Sequence, residues 1–441
     1  MAAPDLSRLR AWTSVPAPLF VGGNQVQLLQ GGDELFPRMQ AAIDAAQHEV
    51  WLATYIFHDD PAAQAVAAAL TRAAARGVAV HVVVDGFGSI KTMAHVRQLF
   101  VGTRVQLEVF RPLDRWFSWL QPGQLRRLHQ KLCVCDEAEA FVGGINIIDD
   151  RNDMNHGWQD TPRLDFAVAL RGPLVAAVQA TARAMWARAH MVRNWRTEFR
   201  QLARSGQRVA EARGLLRQLR GAVSAVPQVA PQPMRAAFLV RDNLRQRRSI
   251  ERSYVEAIRH ARTRVDIAVP YFYPGRGFMR ALRHAARRGV RVRLLLQGKI
   301  DYRIAALAAQ VLYDELRFNG VRIFEYTPAF LHAKVALVDD DWATVGSSNI
   351  DPLSLLLNLE ANVVVRDAEF AQALAARFEA TFAVSAEVTG APARAGLRGW
   401  LRRALIAFGA SIYLRVAGAM AAEPPSRCRR CRRYPRPCRR R

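Results

Sequence analysis

At 441 residues, 51% hydrophobic and 23% charged, the chain has the make-up of a globular protein with room for two core-bearing domains. Five cysteines exclude a disulfide framework, and no run reaches the ~18 uncharged apolar residues of a membrane span. The 63 Lys and Arg against 38 Asp and Glu leave a net charge of +25, to which the nine arginines between Arg427 and Arg441 contribute only part, so anionic partners are favoured: nucleic acid, an anionic bilayer surface or phosphate-bearing substrates.

Read in order, the N-terminus has no apolar run of signal-peptide length, so the catalytic body is expected to be soluble and cytoplasmic. An apolar strand at Gln25–Leu29 leads through Gly31-Gly32 to Asp33, the expected cap of a helix ending near Gln47. The strand EVWLATYIF, a helix over 62–76 stopped by Gly77, and the buried strand VAVHVVVDG come next. Strand–helix–strand order indicates an α/β fold. Cys133 and Cys135, two apart on one strand, read as small core residues. Cys428, Cys431 and Cys438 lack a fourth ligand and sit among arginines, so no zinc site is expected.

The second half repeats the first. ALTRAAARGVAVHVVVDG (Ala69–Gly86) aligns without gaps on ALRHAARRGVRVRLLLQG (Ala281–Gly298), with nine identities in eighteen. Each copy closes on a shared stretch: HQKLCVCDEAEAFVGGIN from His129 to Asn146, and HAKVALVDDDWATVGSSN from His332 to Asn349. In both, a Lys stands two after the His, an Asp seven after it (Asp136, Asp339), then a Gly (Gly143, Gly346) and an Asn three further on. The period is too long for a solenoid. It reads as a duplicated domain whose halves pack about a pseudo-twofold axis.

This organisation sets the domain limits: a first unit over 1–190, a basic connector over 191–235, a second unit over 236–390 and an amphipathic, Arg-rich tail over 391–441. The first half carries an insertion, RPLDRWFSWLQPGQLRR, whose Trp116, Phe117, Trp119 and Leu120 read either as a loop folded on its own core or as an aromatic lip meeting lipid. Within the tail, Gly399–Ala422 is apolar apart from Arg402, Arg403 and Arg415 and suits a helix lying in a membrane interface, against the alternative of packing on the domain.

Side chains alternate along a strand, so His129 and Lys131 face one side, as do His332 and Lys334. Two halves face to face would pool two imidazoles, two ammonium groups, the amides of Asn146 and Asn349, and backbone N–H groups near the Gly-Gly and Gly-Ser pairs. That set fits a phosphodiester: lysines neutralise the charge at phosphorus, one His attacks it and the other moves the proton. A neutral, oriented His needs a carboxylate behind its other ring nitrogen, and Asp165 and Glu360, 36 and 28 residues past their histidines, are the candidates. Asp136 and Asp339 would lie ~20 Å along the strand from the His and are expected to serve a turn or an ion pair, as members of the motif rather than in the chemistry. The lysines already supply positive charge, so metal-independent chemistry without a cofactor is expected.

At these residues the sequence resembles the phospholipase D superfamily, whose hallmark is H-x-K-x4-D followed by G-[GS]-x-N, present in both halves over about 25–384. Within it, TYIFHDD, LHQKLCVCD, VGGINI, DFAVALRGP, PYFYPG and SLLLNLEANVVV resemble the B-type bacterial cardiolipin synthases. The resemblance implies paired α/β/α sandwiches with the active site between them, and transfer through a phosphatidyl-histidine that joins two phosphatidylglycerols into cardiolipin and glycerol. It implies His129 as nucleophile, His332 as acid/base, Lys131 and Lys334 beside them, Asn146 and Asn349 on phosphate, and Asp165 and Glu360 orienting the histidines. It also implies a peripheral protein on the cytoplasmic side of the cell membrane, with anionic phospholipid as partner. Lipid hydrolysis and nuclease action are the alternatives within the superfamily, and a non-catalytic membrane-binding protein is the alternative outside it. The aromatic insertion and apolar tail argue for lipid over nucleic acid.

Overall fold

The computed structural model describes residues 18–112, 126–202, 234–242, 246–299, 312–351 and 358–389. The aromatic insertion, most of the basic connector and the whole apolar and Arg-rich tail lie outside them. In the first half the elements are β1 (Val21–Gly22), β2 (Gln25–Gln30), α1 (Gly31–Ala45), β3 (Glu49–Thr54), α2 (Pro61–Ala75), β4 (Ala79–Asp85), α3 (Met93–Leu99), β5 (Gln106–Phe110), β6 (Arg127–Leu128), β7 (Leu132–Cys135), β8 (Glu139–Gly143), β9 (Asn152–Asp153), β10 (Gly157–Trp158), β11 (Phe166–Arg171) and α4 (Val175–Leu202). The second half has β12 (Arg235–Arg241), α5 (Ser249–His260), β13 (Arg264–Ala268), α6 (Arg276–Arg287), β14 (Arg291–Gln297), β15 (Arg322–Tyr326), β16 (Val335–Val338), β17 (Trp342–Gly346), β18 (Asn358–Arg366), α7 (Ala368–Ala383) and β19 (Ala386–Glu387).

The duplication is literal. One sheet runs β2-β11-β8-β7-β3-β4-β5, and the other contains β12-β18-β17-β16-β13-β14-β15 in the corresponding order. In each, the strand–helix–strand unit forms parallel pairs (β3 with β4, β13 with β14), because a crossover helix returns the chain to the same end of the sheet. The motif strands β7 and β16 run antiparallel to β3 and β13. Asp60 caps α2 by accepting from the Ala63 N–H at 3.0 Å, with Pro61 preset for the first turn.

Three apolar clusters layer the molecule. One lies under α1–α3 against the first sheet, and one under α5 and α6 against the second. The third holds Val142, Val168, Val345 and Val363 from both sheets, with Val178 of α4 and Leu374 of α7, so the halves share a core as well as owning one each. Cys133 and Cys135 are buried in the cluster under α1–α3. No helix among the described residues is long and apolar enough to cross a membrane.

One sequence expectation is corrected. Helix α1 starts three residues early: Gln30 is its N-cap, and Asp33 lies in the first turn. There Glu34 reaches back to the Gln30 N–H at 2.8 Å, and Gly31, at φ 72°, makes the entry turn. Strand β1 pairs with β12 and so extends the second sheet. Helix α4 runs on past residue 190 to Leu202.

Candidate active site

The site is built where each half adds a short strand to the other. Before the first motif, Arg127 and Leu128 pair in parallel with Asn358 and Leu359, and the His129 N–H donates to the Leu359 carbonyl at 3.0 Å. Before the second, Leu331 bridges Leu164, and the His332 N–H donates to the Leu164 carbonyl at 2.8 Å. Each histidine is thereby laid against the segment that carries the other half's carboxylate. His129 Nδ1 lies 2.9 Å from Glu360 Oε2, and His332 Nδ1 lies 2.5 Å from Asp165 Oδ2.

The chain order of the sequence puts each carboxylate with the histidine of its own half; the structure crosses them. Leu128–His129 and Leu331–His332 lie alongside strands of the opposite half, so the near carboxylate is foreign to each. With Nδ1–H donating to a carboxylate, Nε2 keeps its lone pair.

Lys131 and Lys334 are buried and donate back to the carbonyls of His129 (2.7 Å) and His332. Burial pushes Lys131 down to about 7, with Lys334's charge adding to it, and pushes Lys334 down to about 8. Burial lowers His129, and Lys131 and Lys334 lower it further against the pull of Glu360. Burial and then Lys334 bring His332 to about 3. Burial raises Asp165 and Glu360, but Lys334 and His332 for the first, and His129, Arg241 and Lys131 for the second, hold both below the usual carboxylate range. The pocket thus gathers two lysines and two ionised carboxylates around two imidazoles that burial and the lysines keep neutral.

Asn146 and Asn349 stand, buried, at the ends of the two motifs. Asn146 Oδ1 accepts from the Ile56 N–H at 3.2 Å, which fixes its amide, whereas the buried Asn349 Oδ1 has no partner among the described residues. Asp136 and Asp339 are elsewhere. Asp136 accepts the N–H groups of Gln47, His48 and Glu49 at 2.6–2.9 Å, and Asp339 those of Arg262, Thr263 and Arg264 at 2.8–3.2 Å. Both have φ 51° and close the turn after the motif strand onto the start of the neighbouring strand.

Sequence reading missed four contributors. Tyr55 lies with its ring centroid 4.9 Å from that of His129 and 5.4 Å from Lys131 Nζ. Ser347 Oγ donates to Glu360 Oε2 at 2.5 Å and accepts from the Ala361 N–H. Its counterpart Gly144 has no room for a side chain, since a Cβ there would fall 2.3 Å from Asp165 Oδ1. The Gly-Gly and Gly-Ser difference is therefore matched to the carboxylate behind it. Arg163, donating to the Asn152 carbonyl at 2.5 Å, adds positive charge near His332 and Lys334. Arg241 stands opposite Glu360 in the β12–β18 ladder, fully buried, with Nε and Nη1 unpartnered among the described residues. An Arg facing a Glu on an adjacent strand becomes visible only once the register is known.

The model of the family described as "Cardiolipin synthase, PLD-like domain" matches residues 39–157 and 254–382. Cardiolipin synthase B of Escherichia coli (strain K12) is 37% identical over 362 residues, 80% of this chain and 79% of that protein. Cardiolipin synthase A of Pseudomonas putida (strain GB-1) is 33% identical over 394 residues, 89% of this chain and 74% of that protein. Phosphatidylserine synthase from Haemophilus influenzae Rd KW20 shares the fold, with a TM-score of 0.61 at 13% identity, covering 94% of this chain and 99% of that one. The chain belongs to the phospholipase D superfamily, in its cardiolipin-synthase-like branch. At the level of that family it is a lipid-modifying enzyme of the phosphatidyl-transfer type.

Proposed function

We propose that the protein joins two phosphatidylglycerols into cardiolipin and releases glycerol, as a peripheral enzyme on the cytoplasmic face of an anionic cell membrane. The observation that carries the reading is the pair of crossed His–carboxylate contacts in one lysine-lined pocket, because two-step transfer needs two imidazoles with separate duties. The relatives named for cardiolipin synthesis support the substrate.

The first phosphatidylglycerol brings a phosphodiester anion between Lys131 and Lys334, which raises the proton affinity of both lysines and of His332. His129 Nε2 attacks phosphorus, the bond from phosphorus to the headgroup glycerol oxygen breaks, and protonated His332 gives its proton to that oxygen. A hydroxyl of the second phosphatidylglycerol then loses its proton to His332 and attacks phosphorus. The P–N bond breaks, His129 regains its lone pair and cardiolipin leaves. The assignment of roles is supported by access: the His129 side chain is 11% exposed and that of His332 is 24%, and it is the proton carrier that must meet each alcohol. Charge balance is supplied throughout by the chain's own lysines, with Asn146 and Asn349 assigned hydrogen bonds to the phosphate.

The test is product analysis with vesicles of labelled phosphatidylglycerol, without divalent metal, run beside single-stranded and duplex DNA. Cardiolipin with stoichiometric glycerol is expected. Phosphatidic acid alone would make the protein a hydrolase, and cut DNA with untouched lipid would overturn the substrate.

A further inference from the structure

Two loops are pinned to the residues that precede the histidines, in equivalent ways. Asp85, at the end of β4, accepts the Leu128 N–H at 2.8 Å, and Gln297, at the end of β14, accepts the Leu331 N–H at 2.6 Å. The segments leaving these two strands, residues 86–91 and 298–299, therefore lie at the entrance to the pocket. The β9–β10 hairpin joins them. Lys91 Nζ donates to the Met154 carbonyl at 3.3 Å, while His156 packs on Phe330 at 4.9 Å between ring centroids, and Lys299 Nζ sits 5.6 Å from the same Phe330 ring. A continuous rim thus runs from the first half to the second around the mouth.

Its composition is unusual for a water-facing surface. Phe87 is 50% exposed, Ile90 49% and Trp158 60%, three of the seven exposed large hydrophobic residues among the described ones. Cations stand among them, the exposed Lys91 and the half-buried Lys299, while Arg127, its side chain 11% exposed and 3.9 Å from Asp85, backs the Phe87 ring at 5.2 Å from its centroid. The hairpin's Asp153 is already engaged by His156 at 2.8 Å. Apolar and aromatic tips interleaved with Lys match the boundary of an anionic bilayer, where rings enter the headgroup layer and ammonium groups meet phosphates. A soluble nucleic acid would use the cations but leave Ile90 and Phe87 in water.

We propose that this rim, Phe87, Ile90, Lys91, Trp158 and Lys299, is the face by which the protein docks on an anionic phospholipid bilayer, with the pocket mouth held against the headgroups. The proposal rests on the lipid reading of the site and deepens it. Docking in this pose lets a lipid present its phosphodiester to His129 and His332 while its acyl chains stay in the membrane.

The experiment compares the full-length protein with the F87S/I90S/W158S variant on two substrates: mixed phosphatidylcholine and phosphatidylglycerol vesicles, and short-chain phosphatidylglycerol below its aggregation concentration. Counting all phosphodiester turnover, the variant is expected to lose about tenfold or more on vesicles and to stay within about twofold on the monomeric lipid. An equal loss on both substrates, or no loss on either, overturns the proposal. A second measurement needs no turnover: brominated phosphatidylglycerol vesicles should quench the tryptophan emission of the parent more than that of Trp158→Phe, and equal quenching overturns the docking face. A parent that quenches but turns over neither lipid would instead defeat the proposed function and leave the rim standing.

Discussion

At the scale of single residues, the two histidines should be indispensable and the two lysines should carry a cost. His129→Ala and His332→Ala are each expected to lower phosphatidyl turnover by about 10³-fold or more while far-UV circular dichroism is retained. Near-normal turnover in either variant would refute a two-histidine mechanism. Lys131 is different, because burial holds it at about 7. An unfolded lysine titrates near ~10.4, so between those values the unfolded chain binds a proton that the folded chain does not. The contribution of this group to the stability of the unliganded protein is therefore least below about pH 7, climbs with pH through that window and levels off above about pH 10. Lys131→Met should abolish most activity yet raise the melting temperature at pH 7 by about 2 °C, a site favouring function over stability. A lower melting temperature would mean that Lys131 is there for the fold.

At the scale of elements, the motif aspartates argue that a repeated spacing need not mean shared chemistry. Asp136 and Asp339 each gather three backbone N–H groups at a turn with positive φ, where Asp is tolerated better than Ala. Asp136→Ala and Asp339→Ala should each lower unfolding free energy by about 2–4 kcal/mol, read by urea unfolding, and leave turnover per folded molecule within a few-fold. Full stability with lost turnover would return them to the chemistry. These turns were legible because a strand's rise places them far from the histidines. The start of α1 was not, since the capping group is the Glu34 side chain reaching backward while Asp33 looks the better cap by type. The two-residue β1 was equally invisible: its pairing with β12 depends on a strand more than two hundred residues away.

At the scale of the whole molecule, the repeat made the duplicated sheets readable, because equal apolar patterns in equal order bury the same faces. The crossing of the carboxylates was not readable. It depends on how the sheets meet, with Leu128 on Leu359 and Leu331 on Leu164, and no spacing within one half encodes that contact. The crossing has a measurable consequence. His129 feels Glu360 and His332 feels Asp165, whereas the carboxylate of its own half is not among the main influences on either ring. Double-mutant cycles on unfolding free energy should therefore couple His129→Gln with Glu360→Gln, and His332→Gln with Asp165→Asn, by about 1–3 kcal/mol. The same-half cycles, His129 with Asp165 and His332 with Glu360, should be additive within about 0.5 kcal/mol. Coupling in the same-half cycles instead would mean that each half completes its own histidine. Coupling only in the crossed cycles would mean that neither half holds a working imidazole by itself, so the docking of the two halves both buries the shared core and assembles the catalytic pairs.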